Sequence, residues 1–144
     1  ILEKVMISDT ANKGKAVAKH KEIVIFIDKA VPGDICDIII VKKRKKFWQA
    51  RVIKTHQYSK IRSEPKCEHF GTCGGCKWQN MNYDSQTYFK ENKIRYLFKN
   101  LCNDTIVNPI IKCKEDYYYR NKLEFSFTEN RWLTNQEINS NEKS

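Results

Sequence analysis

Glycine and proline are scarce in this sequence, five and three in 144 residues. That excludes collagen-like repeats and long flexible linkers. No run of about 18 apolar residues occurs, so no segment reads as a membrane span. The first residues, Ile1-Leu2-Glu3-Lys4, lack the apolar core of a secretory leader. A chain that starts at Ile rather than Met reads as a piece of a longer one. No G-x-G-x-G-type loop is present to cradle a nucleotide or S-adenosylmethionine. The three histidines, His20, His56 and His69, have no Ser or Asp partner set for nucleophilic catalysis. The chain is therefore not expected to be catalytic by itself.

What the sequence does contain points to binding. Seven Phe, seven Tyr and three Trp, within a 40% hydrophobic fraction, suffice for a small core and argue against a disordered chain. Lys and Arg number 27 against 17 Asp and Glu, and the excess is lopsided. Residues 1–66 hold 16 basic and 7 acidic side chains, whereas 67–144 hold 11 and 10. A basic first half predicts a polyanionic partner, of which nucleic acid is the commonest. The sharpest concentration is Lys42-Lys43-Arg44-Lys45-Lys46, followed by Phe47 and Trp48. Five cations on a β-turn make a compact phosphate-binding point, and adjacent aromatics suit base stacking. The same residues also read as a solvated hairpin tip with Phe47 and Trp48 in the core. Tyr117-Tyr118-Tyr119, beside Arg120 and Lys122, reads as a second RNA surface or as plain strand residues.

Residues 1–60 predict five short strands at roughly ten-residue spacing, around Val5–Ile7, Gly14–Ala18, Glu22–Ile27, Cys36–Val41 and Phe47–Lys54. Val31-Pro32-Gly33-Asp34 is a turn signal between two of them. The pattern predicts a small OB-like β-barrel. Pro65 and Lys66 mark a boundary. Beyond it the expectation is a helix over about 84–101, with an apolar stripe of Ile94, Leu97, Phe98 and Leu101. Strands are expected around Ile106–Cys113 and over Tyr117–Thr128, and a disordered tail from Thr134 to Ser144. The fold class is α+β: a five-stranded OB-like barrel in 1–62, a cysteine loop in 63–81, and part of a second α+β domain in 82–144.

Three of the six cysteines lie in Cys67-Glu68-His69-Phe70-Gly71-Thr72-Cys73-Gly74-Gly75-Cys76. Thiolates in this C-x5-C-G-G-C spacing bind iron–sulfur clusters or zinc, and the glycines let the backbone turn sharply between ligands. A [4Fe–4S] cluster needs a fourth ligand. Zinc could use His69, although two residues from Cys67 is a tight spacing. Cys36, Cys102 and Cys113 are the other candidates, the first two reading more simply as buried small hydrophobes.

Together these residues resemble the front portion of an RNA (uracil-5-)-methyltransferase, of the branch that acts on 23S ribosomal RNA and carries an iron–sulfur cluster. The likeness covers about residues 3–133. Gly14–Ala18, Ile23–Ile27 and Val31–Asp34 resemble a TRAM domain, an OB-like RNA-binding barrel. The cysteine motif is its most specific part, and Lys77-Trp78-Gln79-Asn80, Tyr119-Arg120-Asn121-Lys122 and Leu123–Phe127 continue it. The resemblance implies a [4Fe–4S] cluster on Cys67, Cys73 and Cys76, with its fourth ligand beyond Ser144. It also implies a following methyltransferase domain that supplies the nucleophilic cysteine and the S-adenosylmethionine pocket. This chain would then bind RNA, through the Lys42–Lys46 run and through Arg120 and Lys122, as a cytoplasmic monomer. A stand-alone RNA-binding module and a zinc-binding adaptor for an acidic protein are the competing expectations.

Overall fold

The computed structural model describes residues 1–100, 107–119, 122, 127, 129–131 and 133–140. They fall into two units, Ile1–Asn82 and Tyr83–Ser144. The first unit is built on a sheet of six strands: β1 (Leu2–Met6), β2 (Asp9–Thr10), β3 (Ala16–His20), β4 (Ile23–Asp28), β5 (Ile35–Lys43) and β6 (Phe47–Gln57). A single 3-10 turn, Asn12–Gly14, separates β2 from β3. The strand order is β1-β5-β6-β4-β3-β2. Neighbours are antiparallel except for β4 and β6, which run parallel.

Alternation along the strands explains the sheet. Ile25 and Ile27 face one side of β4; they stand opposite Ala18 and Ala16 on β3, and opposite Trp48 and Ala50 on β6. Side chains alternate faces with a period of two, so these residues share one surface with Ile38 and Cys36. With Ile7 and Ala30 they form the core, flanked by Leu2, Val5, Ile40, Trp48 and Val52. Each fully buried isoleucine here contributes about 1.5–3 kcal/mol of apolar burial. The corner after β1 is tied down by backbone bonds from Ile7 N–H to the Asp34 carbonyl (2.9 Å) and from Ser8 N–H to the Val17 carbonyl (2.8 Å).

Two features differ from the five-stranded barrel expected above. The pairing among the described residues is that of an open, mixed sheet. A sixth strand, β2, joins its edge; at two residues, Asp9 and Thr10, it is too short and polar to leave any periodicity in the sequence. In addition, β5 runs on through Lys42 and Lys43, which pair with Gln49 and Trp48.

The second unit contains α1 (Tyr83–Phe98) and α2 (Asn135–Ser140). No described helix is long and apolar enough to cross a membrane. The stripe predicted on α1 is present, but Ile94, Leu97 and Phe98 are exposed, while Leu101 lies outside the described residues. The strand expected at 106–113 does not form over its described part, 107–113. There, side chains of α1 take the bonds a partner strand would have made. Glu91 accepts from Ile110 N–H (2.9 Å), Arg95 donates to the Val107 carbonyl (3.0 Å), and the Tyr83 hydroxyl accepts from Cys113 N–H (2.9 Å). The strand expected over Tyr117–Thr128 lies largely outside the described residues.

The tail beginning at Thr134 was expected to be disordered; it instead opens into α2, while 141–144 lie outside the described residues. The cause is a capping box. Thr134 Oγ1 accepts from Glu137 N–H (3.4 Å), and the Glu137 carboxylate accepts from Thr134 N–H (2.7 Å). Arg131 pairs with the same carboxylate. Hydrogen bonding from Arg131, and then from Thr134, holds the Glu137 carboxyl at about 2, below its ordinary 4.5. A depressed carboxyl stabilises the folded form above the unfolded value and loses that contribution as pH falls through the folded one. Helix signals of 135–140 are therefore expected to persist at pH 5 and fade between about 4.5 and 2; a nuclear magnetic resonance titration of Glu137 reads this directly.

Candidate functional site

The cysteine loop is fastened to the sheet unit at its base. Asp34, at the β4–β5 turn, is fully buried. Its carboxylate accepts from Val31 N–H (2.7 Å), Ser59 N–H (2.9 Å), and Arg62 Nε (2.8 Å) and Nη2 (2.7 Å). Gly33 beside it has φ +91°, and a Cβ there would lie 2.6 Å from Ser59 Oγ, so the close approach of 59 to this turn requires glycine. Arg62 in turn pairs with Met81 in an isolated antiparallel bridge. Ser63 N–H donates to the Asn80 carbonyl (3.2 Å) and Asn82 N–H to the Ile61 carbonyl (2.9 Å). Asn80 and Met81 are buried. The two ends of the loop thus meet in a short ladder whose first strand is clamped by Asp34.

Inside the loop the turns are local. Phe70 N–H donates to the Cys67 carbonyl (3.0 Å), and Thr72 and Cys73 N–H both donate to the His69 carbonyl. Gly71, at φ +80°, sits beside the Lys29 side chain. The far end presses on the 3-10 turn: a Cβ on Gly14 would fall 2.4 Å from Lys77 Cβ and 3.3 Å from Trp78 Nε1. Gln79 spans the loop. Its Oε1 accepts from Cys67 N–H (3.3 Å) and its Nε2 donates to Cys76 Sγ (3.1 Å).

Cys67, Cys73 and Cys76 are all free and exposed. Their chemistry fits three ligands of a thiolate-bound metal or cluster. Among the described residues, however, no three His, Cys, Asp or Glu side chains are gathered closely enough to hold an ion. His69 has its Nδ1 buried without a hydrogen-bond partner, while its Nε2 lies 3.4 Å from Glu68. Cys36 is in the core, donating to Thr55 Oγ1 (3.6 Å), and burial pushes its thiol pKa up. Cys113 is exposed in the second unit, and Cys102 lies outside the described residues.

The basic run occupies the β5–β6 hairpin. Lys42 and Lys43 end β5, and only Arg44, Lys45 and Lys46 form the tip, closed by Arg44 N–H on the Phe47 carbonyl (2.9 Å). All five are exposed. Behind them, Lys43 Nζ sits 4.8 Å from the centre of the Trp48 ring, which also faces His20 at 6.4 Å. Phe47 meets Phe26 edge-on at 5.5 Å. Trp48 and Phe47 are half-buried, between the stacking and core roles the sequence allowed. Tyr118 and Tyr119 are exposed, as is Lys122; Arg120 lies outside the described residues. Sequence reasoning missed Arg62 and the structural roles of Gln79 and Asp34; Gln79 reaches Cys67 across 12 residues and Asp34 reaches Arg62 across 28.

No family model matches the chain. Curated relatives do. A protein named "Uncharacterized RNA methyltransferase" from Bacteroides thetaiotaomicron is 39% identical over 135 residues, 92% of this chain. One of the same name from Porphyromonas gingivalis is 39% identical over 134 residues, and one from Nitratidesulfovibrio vulgaris 34% over 126. This chain is similar to RNA methyltransferases. It spans only about 30% of the length of these relatives, at 30%, 29% and 27%. The matched segment takes in both the basic hairpin and the cysteine loop, since it covers 92% of the chain.

Proposed function

We propose that this chain is the RNA-binding front portion of an S-adenosylmethionine-dependent RNA (uracil-5-)-methyltransferase of the cytoplasm, acting on 23S ribosomal RNA. The observation that carries the reading is 39% identity, over 92% of the chain, to proteins named RNA methyltransferases. A hairpin bearing five exposed cations agrees with it. Residues 1–62 take the part of the TRAM-like RNA-binding domain, 63–81 the cluster loop and 82–144 part of the central domain. Lys42, Lys43, Arg44, Lys45 and Lys46 hold the phosphate backbone, and Arg120 and Lys122 are further RNA-contacting cations. The full enzyme must take its target base out of the stack, and backbone grip on flanking nucleotides helps to meet that cost. In the full enzyme, S-adenosylmethionine belongs to a separate methyltransferase domain.

Cys67, Cys73 and Cys76 would hold three corners of a [4Fe–4S] cluster. When bound, the cluster would cross-link residues 67–80, whose only large apolar side chains are Phe70 and Trp78. With the fourth ligand beyond this chain, anaerobic preparations are expected to carry fewer than four irons per chain and to lose them in air. Iron and sulfide assays test this; near four irons, stable in air, would place the fourth ligand in this chain. Competition binding tests the substrate: a 23S ribosomal RNA fragment should displace a labelled one far better than transfer RNA does. Equal displacement would overturn the ribosomal assignment.

A further inference from the structure

We infer that Gln79 is a positioning residue for metal at the cysteine loop: its side-chain amide clips the loop shut and donates to the Cys76 sulfur. The inference rests on the reading of this loop as a metal site. The amide's orientation is fixed by its partners. Cys67 N–H can only donate, so the oxygen of Gln79 must face it, 3.3 Å away. The nitrogen is then left facing Cys76 Sγ, at 3.1 Å. A sulfur is a weak acceptor as a thiol and a strong one as a thiolate, the form that binds metal. An N–H donor at this distance fixes where the sulfur points.

Gln79 is itself held on both sides. Ser63 Oγ donates to its carbonyl (3.0 Å), Met81 N–H donates to the Trp78 carbonyl (3.1 Å), and Lys77 and Trp78 lie against Gly14. Its backbone therefore belongs to the rigid base of the loop while its side chain reaches across to the first and last cysteines. One residue thus transmits the order of the sheet unit to two ligands nine positions apart. Outer partners of this kind typically change metal affinity by about 10–100-fold when removed.

The test is a titration of the apo chain with cobalt(II), whose thiolate charge-transfer absorption reports ligation by cysteine sulfur. Gln79→Glu keeps an acceptor for Cys67 N–H but has no donor for Cys76, and it sets a negative charge beside a thiolate. Gln79→Leu loses both bonds. Both variants should bind cobalt at least about tenfold more weakly than the parent, with thermal unfolding of the sheet unit unchanged. In a Cys76→Ser background the further loss on Gln79→Glu should shrink to about twofold or less. Gln79→Glu binding cobalt as tightly as the parent would overturn the role of the amide while leaving the metal site standing. A full loss persisting without Cys76 would show that Gln79 does not act through that sulfur. A parent chain that gives no thiolate–cobalt absorption would overturn the metal-site reading, and this inference with it.

Discussion

Replacing Asp34 by Ala is expected to destabilise the first unit by about 3–5 kcal/mol. The side chain is fully buried and its two oxygens take four donors, from Val31, Ser59 and Arg62. Without it, two backbone N–H groups lose their acceptor and a guanidinium is left beside an empty space. Orphaned buried donors cost about 1–3 kcal/mol each, and more where charge is involved. Arg62 is about a quarter exposed, at 24%, so water recovers part of its share, which favours the lower end of the range. Against a typical total of about 5–15 kcal/mol, this is enough to leave much of the protein unfolded at modest denaturant. Asp34→Asn keeps the shape but turns an NH2 group toward donors, and should cost nearly as much. Arg62→Lys forfeits the two-pronged geometry and should fall between it and wild type. Urea unfolding with an unchanged slope measures the effect; a loss below about 1 kcal/mol for Asp34→Ala would show that this clamp is not what holds residues 59–62 to the turn.

That clamp also marks where the sequence stopped being legible. The strands were readable because β-branched residues cluster in short runs bounded by turn and charge signals: Ile23 to Ile27 and Cys36 to Ile40 could hardly be anything else. The cysteine loop was readable because its C-x5-C-G-G-C pattern is local. Asp34 with Arg62, and Gln79 with Cys67, were not, because each is a pairing of single polar residues far apart in the chain. Residues 107–113, the described part of the strand expected at 106–113, show the opposite failure. Their apolar side chains suggest a strand, but a strand needs a partner, and Glu91, Arg95 and Tyr83 of α1 occupy that place. At Thr134 the composition of the tail outweighed a four-residue capping signal that was there to be read.

RNA binding by this chain is expected to weaken steeply with salt, and the β5–β6 hairpin should carry most of the slope. Each phosphate neutralised on a single strand releases about 0.7 of a counterion, so about four contacts give a slope near −3 for log K against log salt. A fourfold rise in salt would then cost roughly fiftyfold in affinity. Replacing Lys42, Lys43, Arg44, Lys45 and Lys46 together by Ala should flatten the plot toward zero. The structure separates two groups within this run. Arg44, Lys45 and Lys46 form the tip, between the ends of β5 and β6, and their removal should change the slope without touching stability. Lys43 lies over the Trp48 ring, so its loss also removes a packing contact and should lower stability slightly, by about 0.5–1 kcal/mol. A triple variant at the tip is therefore the cleaner probe, predicted to remove about two units of slope. Filter binding across a salt series decides the matter. If the triple and quintuple variants keep the parental slope, the phosphates are held elsewhere on the chain, and the hairpin cations serve only to keep it solvated.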